Sequence, residues 1–206
     1  MIGIIDYGVG NIQAFLNCFK RMDVAACRVN KPEDLALATH FILPGVGHFD
    51  HAMQQFNASG LAPELEKLVI DKKAPLMGVC VGMQMLGTGS EEGDLTGLGW
   101  LKGRSCCFQN ARDLEPLRLP HMGWNSVVVQ KPNQIFPDGT ESNPQFYFLH
   151  SFYFEVKDQA DVLATSNYGH EFASFVAHEN IYGVQCHPEK SHQWGAQLLK
   201  NFSEIR

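Results

Sequence analysis

Two short segments of the chain carry residue types that together perform nucleophilic catalysis. The first, GVCVG, places Cys80 between glycines at the end of an apolar run, and a Gly-x-Cys-x-Gly pattern is typical of a nucleophile elbow. The second, GVQCHPEKS, carries His187 and Glu189 around a proline. A carboxylate bonded to one imidazole nitrogen fixes the tautomer and leaves the other nitrogen free to take a thiol proton. These residues predict a triad of Cys80, His187 and Glu189.

Each segment also has an ordinary structural interpretation. A lone cysteine is most often a small buried side chain, and a histidine before a proline is often a capped surface residue. We expect His187 and Glu189 to lie side by side because residues two apart in extended backbone share a face, and Pro188 favours extended backbone before it. A cysteine and a histidine at the ends of two parallel strands would meet at the carboxyl edge of the sheet.

A third segment, LPGVGHFDHAM, contains a Pro-Gly-x-Gly loop whose consecutive N–H groups could stabilise an oxyanion together with the N–H of Val81. An ordinary glycine turn would have the same sequence. His48, Asp50 and His51 in this segment are metal-ligand types, but no further ligand follows at metal spacing, so we predict no metal. We expect His121 and His150 to serve as local hydrogen-bonding residues.

Composition and charge exclude several classes of function. The chain of 206 residues has a net charge of -6 and no stripe of Lys or Arg, which argues against nucleic-acid binding. DYGVGN lacks the third glycine of a dinucleotide loop, so we expect no nicotinamide or other cofactor. The sequence shows no signal-peptide pattern, no apolar run of membrane length and no CxxC pair among its six cysteines. We therefore expect a cytoplasmic protein with reduced thiols and no membrane partner.

The elements that must position these residues change character along the chain. The first half alternates apolar strands at 2–6, 25–29, 40–43 and 74–79 with helices, which predicts a parallel sheet. The second half has short β-rich runs at 105–109, 124–130, 146–156, 161–166, 172–178 and 181–187, with a hairpin at 178–180 and a final helix at 193–205. We predict a single α/β domain over residues 1–206. Its open, mostly parallel sheet is flanked by helices and carries additional antiparallel strands in the C-terminal half.

Six ordered motifs identify a family resemblance. GVCVGMQ, SEE, PHMGWN, YFLHS, GVQCHPEKS and PGVGHF resemble the triad-type (class I) glutamine amidotransferases, from Ile2 to about Phe202. Within that family, DYGVGN and PHMGWN are most similar to the glutaminase subunits of imidazole glycerol phosphate synthase. CVGMQML, GLGW and EKSHQWG also resemble a paralogous branch that supplies ammonia to a sugar amidotransferase in surface-polysaccharide or nonulosonate synthesis.

The resemblance implies hydrolysis of L-glutamine to glutamate and ammonia, with Cys80 as the attacking thiolate and His187, oriented by Glu189, moving protons. It implies an oxyanion site at Val46 or Gly47 and Val81. The residues that it implies for glutamine binding are Gly45, Gly47, Gln84, Glu92, Ser151 and Phe152. The chain departs from the family pattern at Val81, Gly87, Phe152 and Cys186; Phe152 replaces a usual tyrosine, and Cys186, which we expect to be a core residue, replaces a usual phenylalanine.

The resemblance also implies a partner, a cyclase subunit with a (β/α)8 barrel that receives ammonia through a tunnel and makes imidazole glycerol phosphate. The matching docking residues are Asn11, Trp124, Tyr147 and Lys190, although burial is the more usual role of a tryptophan. The isolated subunit should show little activity, since family members complete the oxyanion site only with the partner and its ligand present. Two alternatives from other classes are a non-catalytic regulatory subunit and a cysteine hydrolase of peptides or γ-glutamyl chains.

Overall fold

A computed structural model describes residues 1–110, 117–137, 140 and 143–206, and within them ten strands form one sheet. Its parallel half has the order β2-β1-β3-β4-β12 and is formed by β1 (Ile2–Ile5), β2 (Ala26–Val29), β3 (His40–Gly45), β4 (Leu76–Cys80) and β12 (Ile181–Val184). Every residue of β1, β4 and β12 is buried, as expected of parallel strands covered on both faces.

Antiparallel strands extend this sheet beyond β12. They are β5 (Gly103–Cys107), β7 (Val128–Val129), β9 (Phe152–Val156), β10 (Val162–Tyr168) and β11 (His170–His178). The path continues β12-β11-β10-β7, while β9 pairs with β11 and β5. A separate two-stranded ribbon is formed by β6 (His121–Ser126) and β8 (Gln145–His150). The predicted fold class, a mostly parallel sheet with helices and further antiparallel strands, is confirmed.

Helices cover the parallel half: α1 (Ile12–Arg21), α2 (Phe49–Ala58), α3 (Ala62–Glu66) with a π-turn at Lys67–Asp71, α4 (Val81–Leu86) and α5 (His192–Ser203). Short 3-10 turns lie at Pro32–Leu37, Phe108–Asn110, Gln159–Asp161 and Pro188–Lys190. The buried face of α1 carries Ile12, Phe15, Cys18 and Phe19 at helical spacing. In the described part of the chain no helix has the length and hydropathy to cross a membrane.

Three of the predicted strands are shorter or divided. The run 124–130 splits into β6 and β7 because these strands pair with different partners, β8 and β10. The run 146–156 breaks at Ser151, between β8 and β9. The strand predicted to reach residue 187 ends at Val184. Gln185 N still bonds Ser174 O of β11, but His187 N bonds Tyr147 O, a carbonyl of the ribbon. The chain therefore leaves the sheet just before the predicted base.

Candidate active site

Cys80 lies at a sharp turn between β4 and α4. Its backbone, at φ 55 and ψ -114, is in a region that L-residues rarely adopt. Neighbouring glycines make the turn possible: a Cβ on Gly82 would lie 1.9 Å from Leu43 O, and one on Gly78 would lie 2.7 Å from Gly82 O. Val81 follows as the first residue of α4, where the N–H groups have no partner within the helix. This is the geometry of a nucleophile elbow.

The sulfur of Cys80 lies among three polar groups. It interacts with His187, whose pKa it raises, and it lies 3.7 Å from the carbonyl oxygen of Leu149 and 3.8 Å from Nε2 of Gln185. The first contact joins a β4 residue to one that follows β12, and these two strands are neighbours in the sheet. The thiol and the imidazole therefore meet at the carboxyl edge of the parallel strands.

His187 is bonded to the carboxylate of Glu189, and both side chains are 3% exposed. Its Nδ1 lies 2.9 Å from Glu189 Oε1, so Nδ1 carries the proton and Nε2 is left for Cys80. Burial alone would lower the pKa of His187, but hydrogen bonds to Cys80 and Glu189 and their negative charges outweigh burial and raise it. A raised pKa makes His187 a stronger base, which is what a cysteine nucleophile requires of its partner.

The predicted reason for the contact between His187 and Glu189 was right for His187, which is extended before Pro188, and wrong for Glu189. Glu189 is not in extended backbone but in the 3-10 turn Pro188–Lys190, which brings its carboxylate back onto the ring. Lys190 N and Ser191 Oγ both donate to the carbonyl of His187, at 3.0 and 2.7 Å, and hold the turn closed. Pro188 fixes the first position of this turn instead of extending the strand.

A cavity of about 290 Å³ opens beside Cys80 and His187. The residues predicted for the oxyanion and for glutamine that line it are Val46, Gly47, Val81, Gln84, Glu92, Ser151 and Phe152. Gly45 is not among its described lining residues; a Cβ there would lie 2.2 Å from Gly82 N, so Gly45 instead permits close contact between β3 and the elbow.

The walls of the cavity are tied together by polar side chains. Glu92 Oε2 accepts a 2.8 Å hydrogen bond from Phe49 N at the start of α2, where a negative charge is favoured. The amide of Gln84 donates to Phe152 O at 3.4 Å, which joins α4 to the opposite wall. Tyr7, which sequence analysis missed, donates to Pro44 O at 2.7 Å and fixes the start of the glycine loop.

Comparison with known proteins shows the family of this chain. The family model described as glutamine amidotransferase class-I matches residues 3–205. The chain belongs to the class-I glutamine amidotransferase family. Relatives named imidazole glycerol phosphate synthase subunit HisH are 53% identical in Bdellovibrio bacteriovorus and 47% identical in Leptospira borgpetersenii, each over 100% of both chains. A crystal structure of a glutamine amidotransferase has a TM-score of 0.73 at 20% identity, covers 98% of this chain and 97% of its own, and supports the fold alone.

In this amidotransferase, three predicted docking residues lie together: Trp124 and Lys190 are exposed, and Tyr147 is partly buried. Trp124, expected from its residue type to be buried, is 46% exposed, which overturns that interpretation. Its ring stacks on His192 at 5.2 Å between centroids and lies 6.3 Å from the ring of Tyr147, and Lys190 Nζ lies 5.8 Å from the centroid of the Tyr147 ring. Successive residues of each ribbon strand point to opposite faces. Because Trp124 and Tyr147 are paired across the two strands, both lie on the outward face of the ribbon.

Asn11, the fourth predicted docking residue, is exposed and caps α1 by accepting a 3.2 Å hydrogen bond from Ala14 N. Within the described residues no hydrogen bond or ring contact joins it to the other three.

The residues of metal-ligand type also have local roles: Asp50 accepts from Asp94 N and Leu95 N, each at 3.0 Å. Over the described residues, no group of three or more His, Cys, Asp or Glu could hold a metal ion.

Sequence analysis missed further residues of the amidotransferase site. Pro120, Leu149 and His150 line the cavity, and Gln185 contacts the Cys80 sulfur. His121 and His150 were expected to form local hydrogen bonds, and they bond each other at 2.9 Å in the wall behind Phe152. One signal in the sequence could have identified Gln185: it lies two residues before His187 in the segment GVQCHPEKS.

Proposed function

We propose that this protein hydrolyses L-glutamine to glutamate and ammonia at Cys80, as the glutaminase subunit of an imidazole glycerol phosphate synthase. The observation that supports it most is the chain of contacts from Glu189 through His187 to the Cys80 sulfur beside a 290 Å³ cavity. The relatives' shared name supports the synthase assignment, and it favours the cyclase subunit of that synthase over a sugar amidotransferase as the recipient of the ammonia.

In the proposed reaction the Cys80 thiolate attacks the side-chain carbonyl carbon of glutamine. The resulting oxyanion accepts hydrogen bonds from Val81 N–H and from the loop at Val46 and Gly47. The His187 imidazolium gives its proton to the leaving nitrogen, so ammonia departs and a thioester remains. The neutral His187 then takes a proton from water as water attacks the thioester, and glutamate leaves. Glu189 keeps Nδ1 of the ring protonated through both steps.

We propose Gln84, Glu92, Ser151, Phe152, Gly45 and Gly47 as the glutamine-binding set, with Gly45 acting through the shape of the loop. No metal or cofactor is needed for these steps, because thiolate, base and oxyanion donors all come from the chain. We also propose that residues 1–206 act as one domain, since a single sheet runs from β2 to β7.

The proposed partner is a cyclase subunit with a (β/α)8 barrel that docks on the exposed face of the ribbon. Met122 and Leu149, which pair on that face, are 65% and 36% exposed, and Trp124 lies beside them. An exposed apolar face of this kind is typical of a protein interface. Asn11, Tyr147 and Lys190 complete the proposed docking set.

Electrophile trapping combined with turnover tests the proposal. The purified protein, alone and with the cyclase subunit from the same genome, is treated with an acivicin-type glutamine analogue, and the labelled cysteine is mapped by mass spectrometry. We expect the label on Cys80 and glutamate release that rises when the partner and its ligand are added. Cys80→Ala should abolish both, whereas Cys27→Ala, a partly buried cysteine of β2, should retain them. A label on another cysteine, or equal turnover by Cys80→Ala, would refute the assignment.

A further inference from the structure

Gln185 is a fully buried amide beside the nucleophile, and the glutaminase steps do not use it. Its Nε2 lies 3.8 Å from Cys80 Sγ, and its Oε1 accepts a 3.2 Å hydrogen bond from Gln84 Nε2. Burial of an amide costs free energy unless its polar atoms are paired. These two contacts therefore account for the position of the Gln185 side chain.

The direction of this hydrogen-bond chain follows from the carbonyl at its end. Phe152 O can only accept, so Gln84 presents its NH2 group to it and, with the second proton, to Gln185. Gln185 must then present its oxygen to Gln84 and its own NH2 group to the sulfur. The reverse orientation would place two NH2 groups against each other and an oxygen against the sulfur.

The two neutral groups around the sulfur favour opposite protonation states. The Leu149 carbonyl, 3.7 Å from Sγ, can only accept and so interacts with the thiol. The Gln185 amide donates, and a donor interacts more strongly with a thiolate than with a thiol. Backbone bonds from Gln185 N to Ser174 O and from His187 N to Tyr147 O, at 2.9 and 2.8 Å, fix the segment that carries both Gln185 and the base.

We propose that Gln185 stabilises the Cys80 thiolate through its side-chain amide, and that Gln84 couples this contact to the wall of the glutamine cavity. The inference rests on the proposed function in one respect, that Cys80 is the nucleophile. One segment after β12 then supplies the sulfur with both a cationic donor, His187, and a neutral donor, Gln185.

The test is the pH dependence of Cys80 alkylation by iodoacetamide in the full-length protein, followed by mass spectrometry of the Cys80 peptide. Gln185→Met keeps the volume and removes the donor, and Gln185→Glu keeps the shape and places a carboxyl at the sulfur. We expect the midpoint to move up by about one pH unit in Gln185→Met and further in Gln185→Glu, with alkylation at pH 7 about tenfold slower.

Two controls accompany these variants. Gln130→Met changes an amide that bonds Thr165 Oγ1 at 2.9 Å and does not line the cavity, so the Cys80 profile should remain that of the wild type. The partly buried Cys27, measured in the same digests, should react equally in every variant. Thermal melts identify any variant that is not folded.

The outcomes separate the inference from the function on which it rests. If Cys80 in the wild type reacts no faster than Cys27 at pH 7, the proposed nucleophile and the role of Gln185 both fail. If the wild type reacts quickly and folded Gln185→Met has the same midpoint, only the role of Gln185 fails. If neither Gln185 variant folds, the Gln185 side-chain amide resonance of 15N-labelled wild-type protein is followed from pH 5 to 9. It should titrate in the wild type and not in Cys80→Ala, and an amide that does not respond overturns the proposal.

Discussion

Acidification should destabilise the protein through a buried pair of histidines. His121 and His150 are 4% and 6% exposed, and His121 Nδ1 lies 2.9 Å from His150 Nε2. His150 Nδ1 donates to Phe152 O at 2.8 Å, so His150 Nε2 is the acceptor and His121 Nδ1 the donor. His121 Nε2 is then left to accept from Asn125 Nδ2 at 3.2 Å. Every ring nitrogen has a partner only while both rings are neutral.

The magnitude follows from the lowered pKa of each ring. Burial lowers the pKa of His121 from 6.5 to about 4. It is also the largest cause of the lowering of the His150 pKa to about 3. The unfolded chain therefore binds more protons below pH 6.5. The stabilising contribution is complete above that pH and is lost as the pH falls towards the folded-state values. At pH 5 each ring reduces the free energy of unfolding by about 2 kcal/mol, and the pair by about 4 kcal/mol, a large part of a typical domain's stability.

Urea unfolding at pH 7 and pH 5 measures this loss. His150→Gln should be less stable than the wild type at pH 7, since the chain of bonds is interrupted, but it should lose about 2 kcal/mol less on acidification because one titrating ring is gone. His51→Gln, a change at an exposed residue of α2, should keep the wild-type pH dependence. The reasoning would be refuted if the free energy of unfolding of the wild type were equal at both pH values. It would also be refuted if His150→Gln lost as much stability between pH 7 and pH 5 as the wild type.

Three further predictions concern the elbow, the base and the docking face. Gly82→Ala places a Cβ 1.9 Å from Leu43 O and should lower the free energy of unfolding by about 1–3 kcal/mol or more, measured by urea unfolding. Glu189→Gln leaves His187 an oxygen partner but removes a charge that raises its pKa, so kcat for glutamate release with the partner should fall about 10- to 100-fold while KM changes little. Trp124→Ala should weaken partner binding about tenfold or more in calorimetric titration and leave unfolding nearly unchanged, because the side chain is half exposed. Unaltered affinity there would exclude Trp124 from the interface.

The parallel half of the fold and the position of Cys80 were predictable because their signals are local. Strands buried on both faces are continuously apolar, and glycines on both sides of Cys80 are required by contacts as close as 1.9 Å. The hairpin at 178–180 was equally local, with Glu179 at φ 53 between β11 and β12. In each case the signal lies within a few consecutive residues of the sequence, even where the constraint comes from another strand, as the contact of Gly82 with Leu43 does.

The geometry around His187 was not predictable in the same way. Whether Pro188 extends a strand or begins a 3-10 turn depends on bonds to Tyr147 and Ser191, which lie on other elements. The exposure of Trp124 depends on the outward face of a ribbon whose pairing is set by the fold as a whole. Gln185 carries no motif of its own, and its contact with the sulfur exists only because β4 and β12 are neighbours.

Tyr147 contacts both the proposed docking face, through its ring, and the proposed base His187, through its backbone. Its carbonyl accepts from His187 N at 2.8 Å, and its N–H donates at 2.9 Å to Ser191 Oγ, which in turn donates to His187 O. Its ring lies on the same exposed face as Trp124. Backbone hydrogen bonds tolerate only a few tenths of an ångström before they weaken, so a partner that displaces β8 must also move the imidazole. We therefore predict that a docked partner acts on the proposed base through β8, without a change elsewhere in the sheet.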